Sequence, residues 1–70
     1  MDTLNTELEQ FGTIEYLGIN NERSFIIVTT WNATEQEFIT IADKYVKPDY
    51  PILENITFID GTIKAEYNKI

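Results

Sequence analysis

Glu35 and Glu37 stand two residues apart behind Thr34 in the stretch TTWNATEQEF, residues 29 to 38. A pair of carboxylates can divide acid and base roles at a reacting centre. The spacing speaks against that use, because side chains two apart on a helix point in different directions. The rest of the catalytic repertoire is thin. The chain has no histidine and no cysteine, and its single serine, Ser24, begins a β-prone run with no base near it in sequence. Without cysteine or histidine, and without the spacing of a calcium loop, no metal or cofactor site is expected. The expectation is therefore a protein that is not an enzyme.

The same stretch contains Asn32, Ala33 and Thr34, a glycosylation triplet, and a second one spans Asn55 to Thr57. The N-terminal MDTLNTELEQFG is acidic and lacks the apolar run of a secretory signal, and no segment approaches the roughly 20 apolar residues that span a bilayer. Both triplets are better explained by structure, and a cytoplasmic location is expected. If the chain is viral, that means the host cytoplasm.

Charge is the strongest compositional signal. Residues 1 to 43 hold eight acids against Arg23 alone, which accounts for the whole net charge of −7. Residues 44 to 70 balance four acids with four lysines. Such a chain repels phosphates and gains nothing from counterion release, so direct nucleic-acid binding is not expected. Its attraction is to basic protein surfaces. One reading of the acids is a solubility device. The other is a docking surface of Glu35, Glu37 and Asp43 with the aromatics Trp31 and Tyr50, and with Glu15 and Glu22 at the rim.

These residues must be positioned by a small fold. Seventy residues permit one domain, residues 1 to 70, and a 43% apolar share with nine aromatics is too rich for a disordered segment. Leu4, Leu8 and Phe11 follow possible caps at Asp2 or Thr3 and precede Gly12, which predicts a short N-terminal helix stopped by that glycine. TIEYLGI and SFIIVTTW flank NNER and predict a hairpin in which Leu17 faces Ile26 and Tyr16 faces Ile27. In that register Ile14, Tyr16, Phe25, Ile27 and Trp31 share one face, and Leu17, Ile19, Ile26 and Val28 share the other.

Thr34 and Glu37 make a capping box, and Phe38, Ile41, Ala42 and Tyr45 continue it as an apolar stripe, predicting a helix over residues 34 to 46. Pro48 and Pro51 bar its continuation. In the tail, Asp60 and Gly61 form a favoured hairpin turn that sets Phe58 against Ile63 and Ile56 against Ala65. The order α-β-β-α-β-β gives an α+β fold: a sheet of about four strands with the capped helix on one face. The strands either side of that helix are expected to run parallel. The face bearing Leu17, Ile26 and Val28 is either covered by Leu4, Leu8 and Phe11 or open to a partner.

From Ser24 and Phe25 through Thr34, Ala42, Tyr45, Val46 and Pro48 to the strand near Ile52, the hairpin, capped helix and strand resemble small acidic host-takeover proteins of bacteriophages. These include the podovirus RNA polymerase inhibitor and anti-CRISPR inhibitors. The resemblance covers less than half of the chain. It implies a noncatalytic inhibitor or modulator that binds a host enzyme. The polymerase inhibitor carries arginines on the strand after its helix, and ILENITFID has none, so no binding residue is transferred. The alternative from a different class is a homodimeric structural or assembly protein, joined through an apolar sheet face or an edge strand.

Overall fold

A computed structural model describes residues 2–70. The elements run α1 (Asp2–Glu9), β1 (Ile14–Asn21), β2 (Ser24–Thr30), α2 (Glu35–Val46), β3 (Ile52–Ile59) and β4 (Thr62–Asn68), in the expected order. The four strands form one antiparallel sheet in the order β1-β2-β4-β3. β2 and β3 each run antiparallel to β4, so they share a direction, as expected of strands joined through a helix. They do not pair, because β4 lies between them.

α2 begins where its sequence says it must. Thr34 is extended and its hydroxyl accepts from the Glu37 amide at 3.1 Å, while Glu37 Oε1 accepts from the Thr34 amide at 3.2 Å. Two orphan amides are thereby satisfied. Glu35 and Glu37 also sit at the positive end of the helix dipole, with Lys44 in the last turn. Phe38, Ala42 and Val46 face inward against Phe25 and Ile27 of β2 and Ile63, Ala65 and Tyr67 of β4. The β3–β4 turn also follows its sequence: Asp60 and Gly61 both take positive φ, 53° and 76°, and the pairs Phe58–Ile63 and Ile56–Ala65 form.

The first hairpin departs from expectation. Leu17 pairs with Ile27, and Tyr16 with Val28, one residue away from the expected register. The turn is Glu22–Arg23, because the Asn21 side chain accepts from the Arg23 amide at 2.8 Å and Asn21 thereby ends β1. Irregularities between Ile14 and Tyr16 and between Ile19 and Asn21 absorb the difference. A one-residue slip exchanges faces. Leu17 therefore packs toward the core with Ile14, and Tyr16 lies on the outer face with Ile26 and Val28.

The N-terminal helix is also placed differently. α1 contains both Asp2 and Thr3, so neither stands ahead of it as a cap. Leu4 and Leu8 are fully buried in the same core as α2, so they cover the inner face and not Ile26 and Val28. Tyr16, Asn20, Ile26, Val28, Lys64 and Glu66 instead line an outer groove of about 360 Å³. Gly12 is not in the left-handed conformation of a helix stop. It lies where the chain after α1 passes against Thr30.

Candidate functional site

Three backbone hydrogen bonds bring separate parts of the chain together at one end of the sheet. The Asn32 amide donates to the Phe11 carbonyl at 2.8 Å, the Thr30 amide to Thr13 at 3.0 Å, and the Trp31 amide to Gly61 at 2.8 Å. This end thus collects the exit of α1, the start of β1, the first turn of α2 and the β3–β4 turn. Glu9, Glu15, Glu35, Glu37 and Asp60 are all exposed on these segments. Four of the five cations lie elsewhere together. The Lys69 amide donates to the Arg23 carbonyl, the Lys69 ammonium sits 5.3 Å from the Tyr50 ring, and Lys44 and Lys47 flank the C-terminus of α2. The fifth, Lys64, is on the outer face of β4 opposite Val28 and Thr57. Glu22, Asp43, Asp49 and Glu54 lie at the same end as those four cations, so its charge is balanced while the acids of the first end are uncompensated.

Of the seven residues expected at a docking surface, Glu15, Glu35 and Glu37 share this acidic end. Glu22 does not. It is in the β1–β2 turn beside Arg23, a strand length of roughly 20 Å away. Asp43 is directed inward, accepting from the Tyr67 hydroxyl at 2.6 Å and pairing with Lys47 at 3.4 Å. Trp31 is buried to 4% exposure, with its ring 5.1 Å from Phe11 and 5.3 Å from Phe38, and its indole N–H donates to the Thr34 carbonyl at 2.7 Å. Tyr50 is also buried. Its amide donates to Val46 and its ring packs 5.6 Å from Phe25, so KPDYP folds back on the end of the helix. Both aromatics belong to the core, because each finds a large apolar neighbour that only the tertiary fold supplies.

Two phenol–carboxylate pairs hold the helices in place. Tyr45 donates to Glu7 and ties α2 to α1. That hydrogen bond, more than burial or the charge of Glu7, raises the Tyr45 pKa above the usual tyrosine range. Tyr67 donates to Asp43 and ties β4 to α2. Burial raises its pKa most, with the hydrogen bond and charge of Asp43 adding to it. The sign of the linkage follows: the unfolded phenol ionises near 10.0 while the folded one keeps its proton. This contribution to stability is intact below that pH and declines as pH rises above it. Urea unfolding followed through the alkaline range should show stability falling by up to about 1.4 kcal/mol per pH unit, less where water reaches Asp43. Tyr67→Phe should flatten that decline; an unchanged slope would assign it to other groups.

Between the α1–β1 connection and α2, Phe11, Thr34, Gln36, Glu37, Thr40 and Ile41 line an open groove of about 260 Å³. Its floor is apolar and its rim carries Glu37, whose Oε1 serves the cap. Among the described residues, no group of three or more acids is placed to hold a metal ion. No helix among them is long and apolar enough to cross a membrane. No family model, curated protein or solved structure matches the chain.

Glu9, Asp60 and the groove residues Phe11 and Ile41 are absent from the docking set expected from sequence. Asp60 carries a readable signal, since a strand parallel to β2 must end where α2 begins. The groove has none, because it depends on how the connection after α1 brings Phe11 against α2.

Proposed function

We propose that the protein is a noncatalytic protein-binding inhibitor or modulator that docks its acidic end onto a basic surface of a nucleic-acid-handling enzyme. The observation that carries this reading is the unbalanced charge of one end, where Glu9, Glu15, Glu35, Glu37 and Asp60 have no cation among them, while four of the five cations lie at the other end with Glu22, Asp43, Asp49 and Glu54. A field of this shape steers and orients an encounter with a cationic groove. The groove floored by Phe11 and Ile41 suits a lysine or arginine of the partner, whose aliphatic stem would lie on the apolar floor with its head at Glu37. The resemblance to phage host-takeover proteins supports a host enzyme as the partner class and a host cytoplasm as the setting.

The test reverses Glu9, Glu15 and Glu35 to lysine together. These three make no side-chain hydrogen bond or ion pair among the described residues, whereas Glu37 holds the cap and Asp43 holds Tyr67. Capture from a bacterial lysate at low and high salt, read by mass spectrometry, should yield a nucleic-acid enzyme that is lost at high salt. With that enzyme purified, the triple reversal should slow association about tenfold or more. Glu22→Lys, at the far end, should leave the rate nearly unchanged. An association rate indifferent to the triple reversal would overturn the reading.

A further inference from the structure

Both helices cover the same face of the sheet and leave the other bare. Leu4, Leu8, Phe38, Ala42 and Val46 share one core with the inner side of β2 and β4, and no helix among the described residues packs on the outer side. The outer face is laid out in two rows that cross all four strands. In one row Gly18 pairs with Ile26, Ile26 with Glu66 and Glu66 with Asn55; in the other Tyr16 pairs with Val28, Val28 with Lys64 and Lys64 with Thr57. Lys64 and Glu66 stand between two grooves and border both, with Ile26 and Val28 on the β1 side and Asn55 and Thr57 on the β3 side. They are the only charges in the two rows. Among the described residues neither makes an ion pair. Glu15, Glu22, Glu54 and Asp60 stand outside the rows, at strand irregularities and turns.

We propose that the outer face of the sheet is a self-association surface, on which a second copy of the chain packs face to face about a two-fold axis perpendicular to the strands. Stacked sheets lie about 10 Å apart with their strands nearly aligned, so opposing side chains meet across the joint. An axis that crosses the strands between the two rows lays each strand on its own counterpart, reversed, and therefore lays each row on the other. Lys64 then opposes Glu66 of the second copy, and Glu66 opposes its Lys64. The charge pattern is its own complement, as an isologous contact requires. The rest of the rows fit under the same rotation, with Ile26 meeting Val28 and Asn55 meeting Thr57. At β1 the Tyr16 ring is 44% exposed and runs along the strand past Gly18, its hydroxyl donating to the Ile19 carbonyl at 3.2 Å, so it meets its own counterpart ring to ring. A two-fold axis along β4 would instead set Lys64 on Lys64 and Glu66 on Glu66. Charge thus selects the second copy and its direction, because a basic partner would oppose Lys64 with like charge and an acidic one would do so at Glu66.

Sedimentation velocity on the purified chain, from micromolar to millimolar concentration in about 0.3 M salt to screen the acids outside the rows, should show a reversible monomer–dimer equilibrium. Lys64→Glu and Glu66→Lys should each weaken it about tenfold or more, because each sets two like-charged pairs across the joint. An equimolar mixture of those two variants should regain it, since each then supplies the charges that the other lacks. Lys44→Glu and Glu35→Lys change the net charge by the same amounts on α2, on the far side of the sheet, and should leave the equilibrium unchanged. Far-ultraviolet circular dichroism of each variant shows that it is folded. A chain that stays monomeric throughout overturns the proposal. So does a dimer indifferent to Lys64→Glu and Glu66→Lys, or one that their mixture fails to restore. Docking of the acidic end onto a basic partner is read by reversing Glu9, Glu15 and Glu35, none of them in the two rows, so either outcome here leaves that reading standing.

Discussion

Trp31→Ala should remove a large share of the protein's folding stability. The indole is nearly fully buried between Phe11 and Phe38. Truncating such a side chain removes about 3 to 5 kcal/mol, because the lost transfer energy is joined by that of the cavity left behind. A chain of this size is stabilised by only roughly 4 to 10 kcal/mol in total. Trp31→Phe divides the effect. It keeps most of the ring and loses the N–H that donates to the Thr34 carbonyl, a group that also accepts from the Phe38 amide at 3.3 Å. About 1 kcal/mol should be lost there. Urea titrations followed by circular dichroism measure both, since the variants lack the fluorophore. If Trp31→Ala unfolds within about 1 kcal/mol of the parent, the indole is not buried in solution and its use as a docking residue reopens.

That result bears on function because Trp31 supports the acidic end from below. Its indole braces the carbonyl of the residue that caps α2, and the cap in turn orients Glu37. A partner would touch the acids, and the tryptophan would act only by holding them. Weakened binding in a Trp31 variant would therefore have to be separated from loss of folding. Charge reversal at Glu9, Glu15 and Glu35 avoids the difficulty.

What the amino-acid sequence discloses here follows the range of the interactions involved. The capping box is chemistry between residues three apart, and α2 begins at the residue that Thr34 and Glu37 specify. The Asp60–Gly61 turn sets the register of β3 against β4, because few residues other than such a pair tolerate two successive positive φ angles. The first hairpin is harder to read. β1 and β2 are apolar on both sides, so the pattern opposes no slip, and the side chain of Asn21 moves the turn by one residue.

The same division separates the site residues. Glu35 and Glu37 are legible as the exposed acids of a first helical turn. Trp31 and Tyr50 are not, since an aromatic beside charged residues has the same sequence whether it is exposed or packed. Phe11, Phe38 and Phe25 decide it, and they arrive from other elements. Charge alone groups Glu22 with the other acids, and the direction of β1 carries it to the opposite end.

The other large effect is expected at Gly12. A Cβ built there would stand 1.8 Å from the Thr30 carbonyl oxygen and 2.6 Å from its carbon, both backbone atoms with no rotamer to escape into. Nor can the two chains simply part. On one side of Gly12 the Asn32 amide donates to Phe11; on the other the Thr13 amide donates to Thr30 Oγ1 at 2.7 Å and the Thr30 amide donates to Thr13. A separation large enough for a methyl group strains all three. Overpacking costs about 1 to 3 kcal/mol and each lost hydrogen bond about 1 more, against which alanine recovers under about 1 kcal/mol through a less flexible unfolded chain. The net expectation for Gly12→Ala is a loss of at least about 3 kcal/mol, lowering the melting temperature by more than about 10 °C in a domain of this size.

Gly18→Ala is the control, because a Cβ there meets nothing nearer than the Tyr16 hydroxyl at 3.9 Å. Its effect should stay within about 0.5 kcal/mol. Equal melting temperatures for the two variants would mean that the chain after α1 does not lie against Thr30. Glu9 and Glu15, which flank that crossing, would then be released from the end of the sheet where Glu35 and Glu37 stand.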